Sequence, residues 1–340
     1  AAARGLPPAE TVFIGGGTPS LLGADGLSRI LNAVRNTFGL AVGAEVTTES
    51  NPESTSSEYF AGLLDAGFTR VSLGMQSAST PVLRVLDRQH TPGRAVAAAR
   101  EARAAGFEHV NLDMIYGTPT ETDDDVRRTL DAILGTDVDH VSAYSLIVED
   151  GTAMARKIRR GELPAPEEDV YADRYELIAS TLDANGYGWY EVSNWARDPQ
   201  GSGVHRARHN VAYWEDQDWW GIGPGAHSHL AGVRFWNAKH PAAYAQRLAT
   251  GVTPAVGRER PDADARRLER IMLAVRTVGG LPTAELVSET PGEAARIRGA
   301  IAELIAAGLL DGRAAVDGRI IPTLEGRLRN DAIVRALAGF

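Results

Sequence analysis

The 340 residues include no cysteine. That absence excludes disulfides, thiolate nucleophiles and any cysteine-ligated zinc or iron–sulfur centre built from these residues alone. No apolar run approaches membrane-spanning length, so no spanning helix is expected. Positive charge is also short: 35 Lys+Arg stand against 44 Asp+Glu, a net charge of −9. Such a chain has no global attraction for phosphate backbones or anionic lipid, and no local basic patch supplies one, so nucleic acid is not an expected partner. Internal repeats and low-complexity linkers are missing too. The start, Ala1-Ala2-Ala3-Arg4-Gly5-Leu6-Pro7-Pro8, has neither an initiating Met nor the apolar stretch of a signal peptide, and reads like the middle of a longer chain. What is present is ordinary for a globular protein: 44% hydrophobic and 23% charged residues, enough for a sizeable core and, at this length, about two domains.

Runs of β-branched residues alternate with helical patterns. Thr11-Val12-Phe13-Ile14 ends abruptly in Gly15-Gly16-Gly17, a strand followed by a loop that exposes backbone. Leu27, Ile30, Leu31 and Val34 recur at helical spacing, and 44–49 is extended again, completing a βαβ unit. Helix 57–65, strand 69–74, helices 80–86 and 94–105, strand 109–115, helix 124–134 and strand 140–148 continue the order. Repeated β-then-α order predicts a parallel sheet covered by helices. Gly17-Thr18, Glu49-Ser50-Asn51, Gln76-Ser77, Asp113 and Tyr144-Ser145 all fall near strand C-terminal ends, where a TIM-type barrel carries its active site. A doubly wound sheet would gather such residues at one switch point, so the barrel is preferred. A long helix follows at 168–184, then an aromatic-rich stretch from Tyr187 to Trp236 that holds all six tryptophans. Beyond Pro261 the pattern becomes helices at 265–276, 283–287 and 293–307, a hairpin around Asp317-Gly318 and a final helix, which suggests a winged-helix-like module.

Each polar motif has a structural and a functional reading. The triple glycine has neither P-loop nor dinucleotide-fold spacing, so it is a tight turn or a loop a ligand approaches closely. Glu49 is either part of an N-cap cluster or a carboxylate for ribose hydroxyls or an ammonium group. Asp113 lies in an otherwise apolar strand and needs a partner, which makes it a functional group or half of an ion pair with Arg88. His205 and His209 are spaced i, i+4 and His227 and His229 i, i+2, but no carboxylate completes a metal signature. In His209-Asn210-Val211-Ala212-Tyr213-Trp214 an imidazole beside two large aromatics suits core packing or the axial ligation of a flat cofactor. Gly221-Ile222-Gly223-Pro224-Gly225-Ala226 reads as a tight structural loop.

Taken in order, 13–20, 49–53, 70–77, Leu86-Asp87-Arg88-Gln89-His90, 111–117 and Tyr190-Glu191-Val192-Ser193-Asn194 resemble the radical S-adenosylmethionine (SAM) proteins of the oxygen-independent coproporphyrinogen oxidase type. The match runs from about Thr11 to the C-terminus. The resemblance implies a partial TIM-type (β/α)6 barrel lacking its first strand, over 1–200. A connecting region with the haem motif would occupy 201–258 and the helical, winged-helix-like domain 259–340. It implies that Gly16, Gly17, Thr18, Glu49, Gln76, Arg88 and Asp113 line SAM. His209-Asn210-x-x-Tyr213-Trp214 resembles the motif of the family's haem chaperone branch, which makes His209 the candidate haem iron ligand. The family's Cys-x3-Cys-x2-Cys, which holds a [4Fe–4S] cluster, has no counterpart here. A missing N-terminal segment is the expected cause. The chain as it stands is then expected to leave a strand edge exposed, to be poorly stable alone, and to perform no reductive cleavage of SAM.

The resulting expectation is a cytoplasmic chaperone that binds haem and passes it to respiratory-chain recipients. The resemblance leaves room for peripheral contact with membrane proteins and for a homodimer. An oxygen-independent coproporphyrinogen III dehydrogenase, converting propionates to vinyls, is the alternative. A metal-dependent barrel hydrolase using Asp113 and histidines is a more distant one.

Overall fold

The structure, a computed structural model, describes residues 5–198, 201–286 and 290–339. It divides into two compact units, Ala1–His209 and Asn210–Phe340.

The first unit is the alternating sheet. Its strands and helices are β1 (Ala9–Ile14), α1 (Gly23–Phe38), β2 (Leu40–Ser50), α2 (Ser57–Ala66), β3 (Arg70–Gln76), α3 (Thr80–Val85), α4 (Arg94–Ala105) and β4 (His109–Tyr116). After them come α5 (Asp123–Leu134), β5 (His140–Ser145), α6 (Ala153–Arg159), α7 (Glu168–Ala184), β6 (Tyr187–Glu191), β7 (Asn194–Arg197) and α8 (Arg208–Trp214), whose last residues enter the second unit. Local chemistry sets many boundaries. The Ser56 hydroxyl accepts the Tyr59 amide at the start of α2, and left-handed Gly67 ends that helix. Thr122 and Asp125 form a reciprocal capping box at the start of α5.

Strands β1 to β5 are parallel and in sequential order, as the β-then-α pattern predicts. The repeat then changes. Strands β6 and β7 form a hairpin, and it is β7, antiparallel, that pairs with β5, giving the order β1-β2-β3-β4-β5-β7-β6. A sixth strand parallel to the first five is therefore present as β6, displaced one place outward. The strand expected to reach Val148 stops at Ser145. β1 is an edge strand, paired with β2, and Phe13 on it is 41% exposed. Leu31, Phe60, Leu63, Leu73, Leu112, Leu130 and Ile133 are fully buried between strands and helices.

The second unit has two parts. Strands β8 (His227–Leu230) and β9 (Val233–Asn237) are followed by α9 (Pro241–Ala249) and then β10 (Ala255–Glu259), making an antiparallel sheet of order β10-β9-β8. Helix α10 (Ala263–Ala274), strand β11 (Leu281–Pro282), helices α11 (Pro291–Ala306) and α12 (Gly312–Val316), strand β12 (Arg319–Ile320), α13 (Leu324–Leu328) and α14 (Asn330–Ala338) complete the chain. Their core is Ile271, Leu281, Ile297, Leu304, Leu310, Ile320, Ile333 and Leu337. The region is helical, and the hairpin expected around Asp317-Gly318 is present in widened form: Leu310 and Pro322 pair as an antiparallel bridge, the Asp311 amide donates to the Ile321 carbonyl and the Thr323 amide to the Leu309 carbonyl, and α12 lies between the two arms. Asp311 accepts the Arg313 and Ala314 amides and caps α12, and the next strand, β12, pairs with β11. Of the helix expected over 283–287, Thr283–Leu286 is a 3-10 turn and Val287 lies outside the described residues.

Candidate functional site

The strand C-termini of the first unit surround an open cavity of about 200 Å³. Gly17, Thr18, Glu49, Gln76, Arg88 and Asp113 line it together with Pro19, Ser50, Asn51, Ser72, Gly74 and His90. Gly16 is not in the lining, but its amide donates to Glu49 Oε2 at 3.0 Å. Gly16 and Gly17 both adopt positive φ, 86° and 60°, with nothing within 4 Å of where a Cβ would stand. A loop of this kind presents backbone amides and carbonyls to a ligand without side-chain obstruction. Gln76, also at positive φ, 65°, holds a backbone conformation that side chains rarely adopt. Glu53, just outside the cavity, accepts the Thr91 amide and hydroxyl and so ties the loop after α3 to the end of β2.

Asp113 is the best-connected carboxylate of the cavity. Ser72 Oγ donates to its Oδ2 at 3.0 Å and Asn111 Nδ2 to its Oδ1 at 2.6 Å. Asn111 Nδ2 also reaches Ser72 Oγ and Ser142 Oγ, and Asn111 Oδ1 meets His140 Nδ1 at 2.7 Å. His140 Nε2 in turn contacts the Tyr190 hydroxyl at 2.7 Å. Burial pushes the Asp113 carboxyl up to about 6, against the pull of the Ser72, Ser142 and Asn111 hydrogen bonds. Burial, with the Arg70 charge in the same direction, pushes His140 down to about 3, so it is a neutral structural imidazole. The ion pair expected as one option for Asp113 with Arg88 is absent among the described residues.

Ser72, Asn111 and Ser142 were not anticipated. The signal was available: 72, 74 and 76, then 111 and 113, then 140, 142 and 144 alternate along β3, β4 and β5, so each set shares one face of the sheet. The parallel register places Ser72 beside Asn111 beside His140, and Gly74 beside Asp113 beside Ser142.

The spaced histidines go to different places. His205 Nδ1 meets Asp139 Oδ2 at 2.9 Å, and His109 Nδ1 meets the same oxygen at 2.6 Å. His209 lies against the edge strand: Thr11 Oγ1 is 2.8 Å from its Nδ1, and Phe13 stacks on the ring at 5.4 Å and 15°. Its backbone amide, and that of Arg208, donate to Glu45, which also accepts from Arg70. Burial lowers the His209 pKa from its usual value. In the second unit His227 stacks on Trp236, and His229 packs edge-on against Trp219. His90 is the one histidine in the cavity lining, so a hydrolase centre joining Asp113 to the spaced histidines is not assembled. The Gly221 to Gly225 loop is structural, as read: Asn237 Nδ2 donates to the carbonyls of Gly221 and Gly223.

The donor set of the cavity fits SAM: carboxylates for an ammonium and for ribose hydroxyls, an arginine and glutamine for a carboxylate, and open glycine backbone. It does not fit the [4Fe–4S] cluster, because no cysteine in the chain offers a thiolate.

Residues 2–133 match the model of the radical SAM superfamily. Over 339 residues, all of this chain and 83% of the relative, the sequence is 53% identical to a protein of Mycobacterium tuberculosis named Heme chaperone HemW. It is 30% identical over 281 residues to the Bacillus subtilis protein of the same name, covering 82% of this chain and 73% of that one. The solved structure of coproporphyrinogen III oxidase from Escherichia coli superposes with a TM-score of 0.80 over 97% of this chain and 78% of the other, at 24% identity, a likeness of fold. The chain belongs to the HemW family, built on the radical SAM scaffold.

Proposed function

We propose that this chain binds haem and passes it to acceptor proteins, with SAM held at the strand C-termini of its first unit. The observation that carries this reading is the 53% identity, across the whole chain, to a protein named a heme chaperone. Gly16, Gly17, Thr18, Glu49, Gln76, Arg88 and Asp113 are the proposed SAM contacts. Glu49 and Asp113 suit the ammonium and ribose hydroxyls, Arg88 and Gln76 the carboxylate, and the glycine loop the purine edge. When bound, SAM supplies an adenosyl sulfonium whose reductive cleavage needs a [4Fe–4S] cluster; with no thiolate in these residues, no cleavage step is assigned to them.

His209 is the proposed iron ligand. Its lowered pKa keeps the imidazole neutral at pH 7, so a ring nitrogen can bind iron. Thr11 engages Nδ1 and orients the ring, as outer partners of histidine ligands do. The recipients are proposed to be respiratory-chain haem proteins reached from the cytoplasm. Peripheral contact with membrane proteins and homodimerisation belong to the same reading. No helix among the described residues is long and apolar enough to cross a membrane. The dehydrogenase alternative rests on likeness of fold alone and gains nothing further from the site.

The test is haem transfer. Loaded protein mixed with apomyoglobin should lose its own haem spectrum as holomyoglobin appears, faster than free haem aggregates release theirs. Protein that retains no haem through gel filtration, and so has none to give, refutes the reading.

A further inference from the structure

Opposite the SAM cavity, the first unit's sheet carries a second cluster of polar side chains. His109 is the first residue of β4, Asp139 immediately precedes β5, and His205 lies in the turn that leads into α8. His109 stands four residues before Asp113 on the same strand, a rise of about 13 Å, so the cluster is separate from the SAM residues. The ligand atoms of the three side chains all lie within 4.8 Å of one another, and among the described residues no other group of three or more histidine and acidic side chains converges in this way. The partner of His205 is therefore not His209, four residues on, but His109, brought to it from β4 by the fold.

Asp139 is the hub, its side chain 2% exposed. Its Oδ1 accepts the Val110 amide at 2.8 Å and faces the Arg103 guanidinium at 3.3 Å. Those two contacts turn Oδ2 toward the imidazoles: His109 Nδ1 is 2.6 Å away and His205 Nδ1 2.9 Å. The two rings stand edge to face, their centroids 5.5 Å apart at 76°. Arg70 Nη2 donates to the His205 and Arg206 carbonyls at 3.1 and 3.2 Å and fixes the turn that carries His205. A carboxylate oxygen anchored from behind, with two imidazole nitrogens in front of it, is how histidine–carboxylate metal sites are built.

We propose that His109, Asp139 and His205 bind a divalent ion of the zinc class through both Nδ1 atoms and Oδ2, with water as the fourth ligand. Each ring now donates from Nδ1 to a carboxylate that can only accept; in the other tautomer the proton sits on Nε2 and Nδ1 offers its lone pair to the metal. Tetrahedral ligands at zinc bond lengths stand about 3.3 Å apart, so the two hydrogen bonds open by less than about 1 Å to admit the ion. The side chains of His109 and His205 are 19% and 31% exposed, which gives the ion and its water a path in. Arg103 offsets the charge of the carboxylate and two of the three donors are imidazoles, so the site selects a zinc-like ion over calcium or magnesium, which need several oxygens. No cysteine in the chain competes for it. Bound there, the ion joins β4, β5 and the segment entering α8, at the end of the sheet where residues serve stability rather than ligand chemistry.

The experiment is a calorimetric titration of the tag-free 340-residue chain, stripped with chelator, with zinc(II) in wild type, His109→Gln, His205→Gln and, as a control on an exposed histidine, His240→Gln. Cobalt(II) replaces zinc in a parallel titration read by its visible d–d bands. The expected result is saturation at one ion per chain in wild type and His240→Gln, intense tetrahedral cobalt bands, and a melting temperature that zinc raises. His109→Gln and His205→Gln should each bind zinc more than about tenfold more weakly, since losing a direct ligand costs at least what losing an outer partner does. Zinc should no longer raise their melting temperature. His205→Gln changes a partly exposed side chain in a turn, so it decides the matter even if His109→Gln misfolds. Zinc affinity unchanged in His205→Gln overturns the site and sends the ion elsewhere. Folded wild type that binds no zinc saturably, or binds magnesium as tightly as zinc, overturns it too and leaves the cluster a network of hydrogen bonds.

Discussion

Replacing Glu45 by alanine removes the carboxylate on which the first unit's edge is organised. Glu45 and Arg70 form an ion pair at 3.1 Å with side chains 4% and 2% exposed. The same carboxylate accepts the Arg208 and His209 amides at 3.1 and 2.9 Å, satisfying the start of α8. Arg70 also donates to the carbonyls of His205 and Arg206, so it ties the segment before α8 to β3. Removing one partner of a buried ion pair leaves a charge unpaired out of water, a cost of about 3–5 kcal/mol. Loss of the helix cap adds about 1 kcal/mol. Taking about 4 kcal/mol as the combined loss, the folded-to-unfolded ratio falls about a thousandfold and the melting temperature of a unit this size by about 10 °C. Urea unfolding followed by tryptophan fluorescence measures it. Glu45→Gln retains one acceptor oxygen and should lose less. The paired change Glu45→Leu with Arg70→Met removes both charges and should recover part of the loss. A Glu45→Ala loss below about 1 kcal/mol, or a paired variant worse than Glu45→Ala, would refute the reasoning.

Three further outcomes follow from the same contacts. The hydrogen bond from His109 and the charge of Arg70, acting against burial, hold Asp139 down to about 2. Its contribution is therefore complete above the ordinary aspartate value and disappears as pH falls from about 4 toward 2, roughly 2–3 kcal/mol in all. Asp139→Asn should be less stable by that amount at pH 7 and should lose that part of the acid slope; a melting-temperature profile parallel to wild type from pH 7 to 2 contradicts it. Asp113 is raised to about 6, so the folded state holds its proton more tightly than the unfolded chain and its contribution weakens as pH rises from about 4 through 6. Asp113→Asn should therefore gain stability over wild type at pH 8 relative to pH 4. Calorimetric SAM binding by wild type should weaken as pH drops through about 6, whereas Asp113→Asn should bind weakly at every pH; equal affinity in the two proteins at pH 8 removes Asp113 from the site. His209→Ala should shift the Soret band of the haem-loaded chain and Thr11→Val, which loses the bond to Nδ1, should shift it less; identical spectra in all three proteins would end the role of His209.

The sheet was legible because its alternation is strong: helix 94–105 and helix 168–184 end where periodicity places them, and strands β3 and β4 fall within two residues of their expected ends. The rim was legible because Gly17, Thr18, Glu49, Gln76 and Asp113 stand at or near strand C-terminal ends in a parallel sheet, where ligand-binding groups converge, and Arg88 reaches the same cavity from the loop after α3. The support beneath Asp113 escaped notice for a physical reason. Ser72, Asn111 and Ser142 sit inside buried strands, where a single polar residue carries little periodic signal, and only the register across three strands joins them. The His205 and His209 spacing was rightly set aside as a metal signature: α8 begins at Arg208, so helical periodicity does not reach His205. At Asp317-Gly318 the turn signal held but the connection is longer than a tight hairpin, because the Asp311 cap makes 312–316 helical between the bridged Leu310 and Pro322; Gly318, at φ 81°, then leads into β12. The β6–β7 hairpin lay hidden in the aromatic-rich stretch, where Trp189 and Trp195 face each other in the register and leave no alternation to read.

The most direct test of the central claim is the stoichiometry and affinity of haem on the purified 340-residue chain, by haemin titration with gel filtration of the product. The account predicts one haem per chain, retained through the column with an imidazole-ligated spectrum. Haemin that partitions without saturation and elutes apart from the protein would contradict it.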